Sequence, residues 1–262
     1  MGKLLFQSDD HRVYMFSEYS PKDAIQSNQY LIVHKGKGIL LDPGGNRTYH
    51  RLLDHISQII NPKEDLIYIL LSHQDPDIVA SLNGWLMVTR AEALISKLWI
   101  RFLPHFGLSG WLEGRVKPVE DSGGSIELNG CRLYILPAHF LHSPGNFQVY
   151  DPVSKILFSG DAGASVGQDY MEVYSIKGHI KYMEGFHKRY MASNKICRLW
   201  AKMVERLDIE IIAPQHGAVM IGREAVKEFI SWIKELRCGV DLLSEENYKL
   251  PKEIVKKEVL LN

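Results

Sequence analysis

The sequence predicts an α/β sandwich in which two mixed β-sheets pack together with helices outside. Three observations predict it. The first 45 residues alternate apolar and polar positions in short runs, as a β-meander does. A continuous apolar run at 65–72 then lies between two segments of helical periodicity. After residue 116 the hairpin pattern starts again and closes on a strand and a helix. The order βββαβα, then hairpins, then βα, fits two sheets covered by helices.

Each element has its own signal. "HRVYMFSEYS" (11–20) and "QSNQYLIVHKGKGILLDPGG" (26–45) read as strands, with a Lys-Gly-Lys-Gly turn at 35–38 and the last strand ending at Asp42. "NRTYHRLLDHISQII" (46–60) has helical spacing and stops before Asn61-Pro62. "DLIYILLS" (65–72) is an unbroken apolar strand, expected to be buried on both faces. Residues 79–100 look like an interrupted helical stretch. Residues 116–136 are expected to form a hairpin with turns at "EDSGGS" and "LNGC"; 147–161 form another that turns at Asp151-Pro152. Residues 186–207 have the spacing of one long amphipathic helix. "IEIIAPQHG" (209–217) is a short strand ending in a histidine loop, 222–237 a helix, and "KLPKEIVKKEVLL" at the C-terminus a charged amphipathic helix. No repeat, low-complexity tract or Pro/Gly/Ser-rich linker divides the chain, so 1–262 reads as one domain.

Composition narrows the function classes. A hydrophobic fraction of 45% and a charged fraction of 24% belong to a globular protein with a sizeable core. With 31 basic and 31 acidic residues, no nucleic-acid or membrane partner is held mainly by charge. No apolar run reaches the roughly 18 residues of a membrane span, and the N-terminus lacks the pattern of a signal peptide. Cys131, Cys197 and Cys238 are scattered, without a CxxC, as reduced thiols of a cytoplasmic protein are.

Four strand-end loops carry the chemistry: "SHQDPD" (72–77), "AHFLHSPG" (138–145), "SGDAGAS" (159–165) and "PQHGA" (214–218). Alone, each is an ordinary turn. Together they offer His73, Asp75, Asp77, His142 or His139, Asp161 and His216. Three imidazoles and three carboxylates exceed what one tetrahedral ion needs and suit two ions that share a carboxylate. Without cysteine in any loop, the set suits Fe, Mn or Zn.

These loops resemble those of the metallo-β-lactamase fold, and within it the diiron domain of flavodiiron proteins. "HQDPDI" resembles that family's H-x-E-x-D-H at His73, Asp75 and Asp77, with Asp in place of Glu. "LHSPGNF" resembles its "LHWPDSM", which selects His142 over His139, and the spacing to Asp161 matches its H-x18-D. "LFSGDA" resembles "LFSNDA", and "LDIEIIAPQHG" is similar to the family's final strand and histidine loop. The similarity covers nearly the whole chain. It implies a metallo-β-lactamase-like αβ/βα sandwich with His73, Asp75 and His142 on one iron, Asp161 bridging, and Asp77 with His216 on the other. Asp42 would brace the first histidine loop, and His139 would stand beside the ligands. No flavodoxin domain and no FMN are expected. Iron is the expected metal, with Zn or Mn taken up on overexpression.

Hydrolases of the superfamily show H-x-H-x-D-H. A carboxylate at Asp75 instead of that imidazole adds negative charge and favours an oxidisable pair, so the expectation tilts from hydrolysis to iron and O2. Ile78 occupies the slot where many family members place a histidine. An isoleucine cannot coordinate; it leaves an open iron with an apolar wall, suited to holding an O2 adduct rather than reducing it. The alternative is that Ile78 only packs and turnover is kept. The chain is therefore most similar to the flavin-less, oxygen-binding diiron proteins. That resemblance implies O2 as ligand, a chemoreceptor or other signalling protein as partner, and a homodimer. The enzymatic alternatives are an O2 or NO reductase fed by an external electron donor, or a dinuclear hydrolase. His11, His34, His50, His55, His105, His179 and His187 have no motif around them and read as surface or helix residues. "KYMEGFHKRY" (181–190) can lend an aromatic residue to the rim.

Overall fold

Alternating burial along short strands builds the layers. In the computed structural model, which describes residues 2–17 and 25–250, strands β1 (Lys3–Gln7), β2 (His11–Phe16), β3 (Gln29–His34) and β4 (Lys37–Leu41) form an antiparallel meander. Along β3, Leu31 and Val33 join one apolar cluster and Tyr30 and Ile32 another, as the two-residue period of a strand requires. Helices α1 (Tyr49–Ser57) and α2 (Pro62–Asp65) lead to β5 (Leu66–Leu70), which is parallel to β4. Helix α1 buries Leu52 and Ile56, four residues apart. Helices α3 (Pro76–Val79) and α4 (Leu82–Val88) precede β6 (Glu92–Ser96) and β7 (Val116–Val119), both added in parallel. The first sheet runs β1-β2-β3-β4-β5-β6-β7.

The second sheet starts the same way. β8 (Gly124–Leu128), β9 (Cys131–Pro137), β10 (Phe147–Asp151) and β11 (Ile156–Gly160) form another antiparallel meander. After β12 (Glu172–Val173), α5 (Ile180–Tyr190) and α6 (Asn194–Val204), strand β13 (Ile211–Pro214) pairs in parallel with β11. β14 (Val219–Ile221) and α7 (Arg223–Glu235) follow. The order is β12-β14-β13-β11-β10-β9-β8. One apolar cluster, with Ile32, Ile39, Ile135, Val149 and Phe158, fills the space between the sheets. Two more lie under the helices, one around Leu40, Leu52 and Trp85, the other around Leu157, Trp200 and Phe229. The result is helix, sheet, sheet, helix, the expected fold class.

Four local expectations need correction. The helical stretch over 79–100 ends at Val88, and "EALIS" is β6. Its Ala and Glu favour helix, but pairing with strands on both sides overrides that preference. The 116–136 hairpin is divided between sheets: β7 closes the first, and only β8 and β9, joined at "LNGC", form a hairpin. The long helix over 186–207 is two helices broken at 191–193. There the Ala192 N–H donates to the Phe140 carbonyl (3.2 Å), and the Ala192 carbonyl accepts from Val240 (3.0 Å). A continuous helix would forfeit both bonds. In β5, Ile67 and Tyr68 are only half-buried, so its burial is not complete on both faces. The C-terminal helix expected after Leu250 lies outside the described residues.

Candidate metal centre

All the loops singled out in the sequence open at one end of the strands. Asp42 and His73 follow β4 and β5; His142 sits between β9 and β10; Asp161 and His216 follow β11 and β13. His73 Nε2 lies 3.6 Å from Asp75 Oδ2 and 3.6 Å from Asp161 Oδ2. His142 Nε2 lies 3.3 Å from Asp75 Oδ2 and 2.9 Å from Asp161 Oδ2. On the other side, His216 Nε2 is 3.6 Å from Asp77 Oδ2 and 3.4 Å from Asp161 Oδ1. Asp161 thus turns one oxygen to the His73, Asp75 and His142 group and the other to the Asp77 and His216 group.

Local sequence explains the placement. Asp75 occupies the position before α3 with extended backbone, and Pro76 opens the helix. Its carboxylate makes no capping bond to the helix; it faces the imidazoles instead. Gln74 Nε2 donates to Asp75 Oδ1 (2.9 Å), and Ser143 Oγ donates to Gln74 Oε1 (2.6 Å), which ties the His73 loop to the His142 loop. The Ser72 N–H donates to Asp42 Oδ1 (2.7 Å), so Asp42 holds the backbone next to His73. His73 Nδ1 lies 2.9 Å from Ser72 Oγ. His216 Nδ1 donates to the Gln26 carbonyl (2.8 Å), so Nε2 is the nitrogen turned to the carboxylates. Gly217 has φ +77°, and a side chain there would strike Ser165, so the turn after His216 requires glycine.

The charge balance shows what the site wants. Burial pulls the His73 imidazolium down, but Asp161 and Asp75 outweigh it and raise its pKa to about 9. Burial also lowers His142, and the cation at His73 adds to that against the pull of Asp161. The rings stand 4.9 Å apart and share the same carboxylates. Burial raises the Asp75 carboxyl, yet the hydrogen bond and charge of His73 bring it below its ordinary range. Burial likewise raises Asp77, more than His216 lowers it. Asp42, fully enclosed, is pushed up by burial to about 6 despite the Ser72 bond. A proton on His73 is thus an imperfect substitute for the cation charge that this group of carboxylates attracts.

The residues fit a pair of metal ions. Asp161 Oδ1 is buried and makes no hydrogen bond, an arrangement costly unless a cation faces it. Ligand atoms of His73, Asp75 and His142 all lie within 4.8 Å of one another. The donors are nitrogen and oxygen only, which suits iron, manganese or zinc.

One expectation around the site changes. His139 does not turn to the cluster: its Nε2 lies 2.7 Å from the Asp121 carbonyl and its ring packs on Phe147. Ile78 is fully buried in the apolar cluster with Leu71, Val79 and Leu82. Other residues were not singled out by sequence. Gln215 Nε2 donates to Asp77 Oδ2 (3.3 Å). Asn28 Nδ2 donates to the Pro214 (2.8 Å) and Gly217 (2.9 Å) carbonyls, and Tyr30 OH to Pro214 (2.6 Å). These bonds join residues 138 to 189 positions apart, so no local pattern announces them. From the tyrosine-rich stretch, Tyr190 and Phe186 stack on each other, and both rings lie against His142.

Comparison with known proteins agrees with this geometry. A family profile described as ODP family β-lactamase matches residues 25–217. Two solved structures of chemotaxis sensor ODP are 41% identical, each covering 95% of this chain and 99% of that chain. One, a peroxy diiron species, superposes with a TM-score of 0.84; the other, the apo state from T. denticola, with 0.82. Rubredoxin oxygen:oxidoreductase from Desulfovibrio gigas is 18% identical over 89% of this chain and 61% of that chain, TM-score 0.75, and shares the fold. An uncharacterized protein of Methanocaldococcus jannaschii is 27% identical over 230 residues, 86% of this chain. The match spans 56% of that archaeal protein's length.

Proposed function

The chain belongs to the ODP family of β-lactamase-fold proteins, and on that premise we propose that it is a non-heme diiron protein that binds O2 and reports it to a chemotaxis-type signalling pathway. The observation that carries this reading is the division of Asp161 between two ligand groups, Oδ2 facing His73 and His142, Oδ1 facing His216. His73, Asp75 and His142 would hold one iron, Asp77 and His216 the other, with Asp161 across both. A bound iron pair supplies the electrons and the open coordination position that O2 needs. The protein's own residues do the rest. Asp42 and Ser72 orient the His73 loop, Gln26 fixes the His216 tautomer, and Gln74 holds Asp75. Ile78 offers neither a ligand nor a proton carrier, and its burial keeps the start of α3 apolar. This favours a site that stops after binding over one that continues to water.

The same proposal takes the described residues as one diiron domain, with O2 as ligand and a chemoreceptor or similar signalling protein as partner. A cytoplasmic location and a homodimeric state belong to it; light scattering measures the second. Among the described residues no helix is long and apolar enough to cross a membrane. Elemental analysis of protein purified anaerobically from iron-replete cells tests the centre. The reading expects two irons per chain; one tightly held ion, or zinc alone despite the iron supply, contradicts it.

A further inference from the structure

The strand ends opposite the diiron loops hold a second group of metal-binding side chains. His11 opens β2, His34 closes β3 and Cys131 opens β9, so the first sheet gives two imidazoles and the second a thiol. One nitrogen of each imidazole and the cysteine sulfur all lie within 4.8 Å of one another. We propose that His11, His34 and Cys131 bind a single ion of the Zn2+ class, which clamps the two sheets together at this end.

Spacing supports it first. His11 Nδ1 and His34 Nδ1 are 3.2 Å apart. Two nitrogens each roughly 2.0–2.1 Å from a tetrahedral ion are separated by about 3.3 Å. The second support is orientation. His11 Nε2 lies 2.8 Å from Asp151 Oδ2, and a metal-bound imidazole usually has such a carboxylate on its other nitrogen. With Nε2–H donating to Asp151, the Nδ1 lone pair is directed at His34 and Cys131. Asp151 is itself held, accepting from the Val153 N–H (3.0 Å) and from Ser154 Oγ.

Charge is the third. His11 is 1% exposed, Cys131 3% and Asp151 0%. A buried carboxylate needs a compensating charge. A dication with one thiolate leaves one positive charge, which Asp151 balances. The His11 bond to Asp151 alone gives the Cys131 sulfur no part.

Hydrogen bonds tie the surrounding turns together. The Lys35 N–H donates to the Asp10 carbonyl (2.8 Å), and Asn129 Nδ2 donates to the Lys35 carbonyl (3.0 Å). The turns that precede His11, follow His34 and precede Cys131 are thereby laced together. A polar cavity of about 630 Å³, lined by Ser8, Asp9, Asp10, Arg12 and Lys35 among others, lies beside these turns. One sulfur and two imidazoles select zinc over hard cations and set this site apart from the nitrogen and oxygen loops.

The test titrates the iron-loaded protein with Co2+, the spectroscopic substitute for zinc. One cobalt per chain beyond the iron content is expected, with a thiolate-to-cobalt charge-transfer band in the near ultraviolet that added Zn2+ removes. The diiron loops contain no sulfur, so cobalt entering them gives no such band. Cys131→Ser and His34→Ala should each abolish it, whereas Cys197→Ser should keep it. A wild-type protein without the band, or a band that survives either substitution, overturns the proposal. Should Cys131→Ser fail to fold, His34→Ala at the half-buried edge decides the matter alone.

Discussion

The two halves of the molecule share a construction and spend it differently. Each is a four-stranded meander followed by a parallel neighbour, β4 with β5 and β11 with β13. In each, a carboxylate follows the last meander strand and an imidazole follows its neighbour: Asp42 with His73, Asp161 with His216. Asp42 accepts the Ser72 N–H and so braces a loop. Asp161 leaves Oδ1 without a hydrogen bond and turns both oxygens to imidazoles. A carboxylate at the same topological place is a brace where a backbone N–H reaches it and is left free to meet a cation where none does. The first half alone adds α3, which brings Asp75 and Asp77 and makes the site acidic enough for two cations.

Three substitutions or conditions sharpen this contrast. The largest effect belongs to Asp161→Ala. It should cost both ions rather than one, because the shared carboxylate also shields two cations from each other; metal analysis showing one ion kept at full occupancy would count against the assignment. Asp42→Ala should leave both ions bindable but weaken them about 10–100-fold, the usual effect of losing a residue behind a ligand. Affinity titration separates the two outcomes, and equal losses for both variants would erase the distinction between brace and ligand. The third effect is that of pH. His73 in the metal-free protein has its pKa raised to about 9, so below that pH an incoming ion must displace a proton. Metal affinity should climb about tenfold per pH unit from neutrality and level off near pH 9, with proton release on loading. Calorimetry in buffers of different ionisation enthalpy measures the release; none at pH 7 refutes it. The sign for stability is opposite. The His73 contribution to the metal-free fold is fully present below its ordinary pKa of 6.5 and is lost as pH rises through about 9.

Much of the site is legible in sequence because each of its loops is a local event, an apolar strand ending in His or Asp and small residues. His73, Asp75, Asp77, His142, Asp161 and His216 can be picked out this way, although only the fold brings them together. What stays hidden depends on distant partners. The carbonyl that orients His216 belongs to Gln26, and the break at 191–193 exists because Ala192 bonds to Phe140 and Val240. His11 and His34 carry no motif, and reading them as surface or helix residues misses that β2 and β3 place them opposite each other against Cys131. His179 and His187, also without motifs, are buried too. "EALIS" misleads for a related reason, since residues that favour helix intrinsically are held as a strand by two neighbours.

Whether the site stops after binding is the central claim, and Ile78 is where it is measured. Reduced, iron-loaded protein should be mixed with O2 in a stopped-flow spectrometer and, with an electron donor present, in an oxygen electrode. The account predicts a coloured, long-lived oxygenated form of the wild-type protein and little sustained O2 consumption. In Ile78→His an imidazole able to relay protons should make that form decay faster and raise consumption. Rapid wild-type turnover that Ile78→His leaves unchanged would contradict the sensor account and make the protein a reductase.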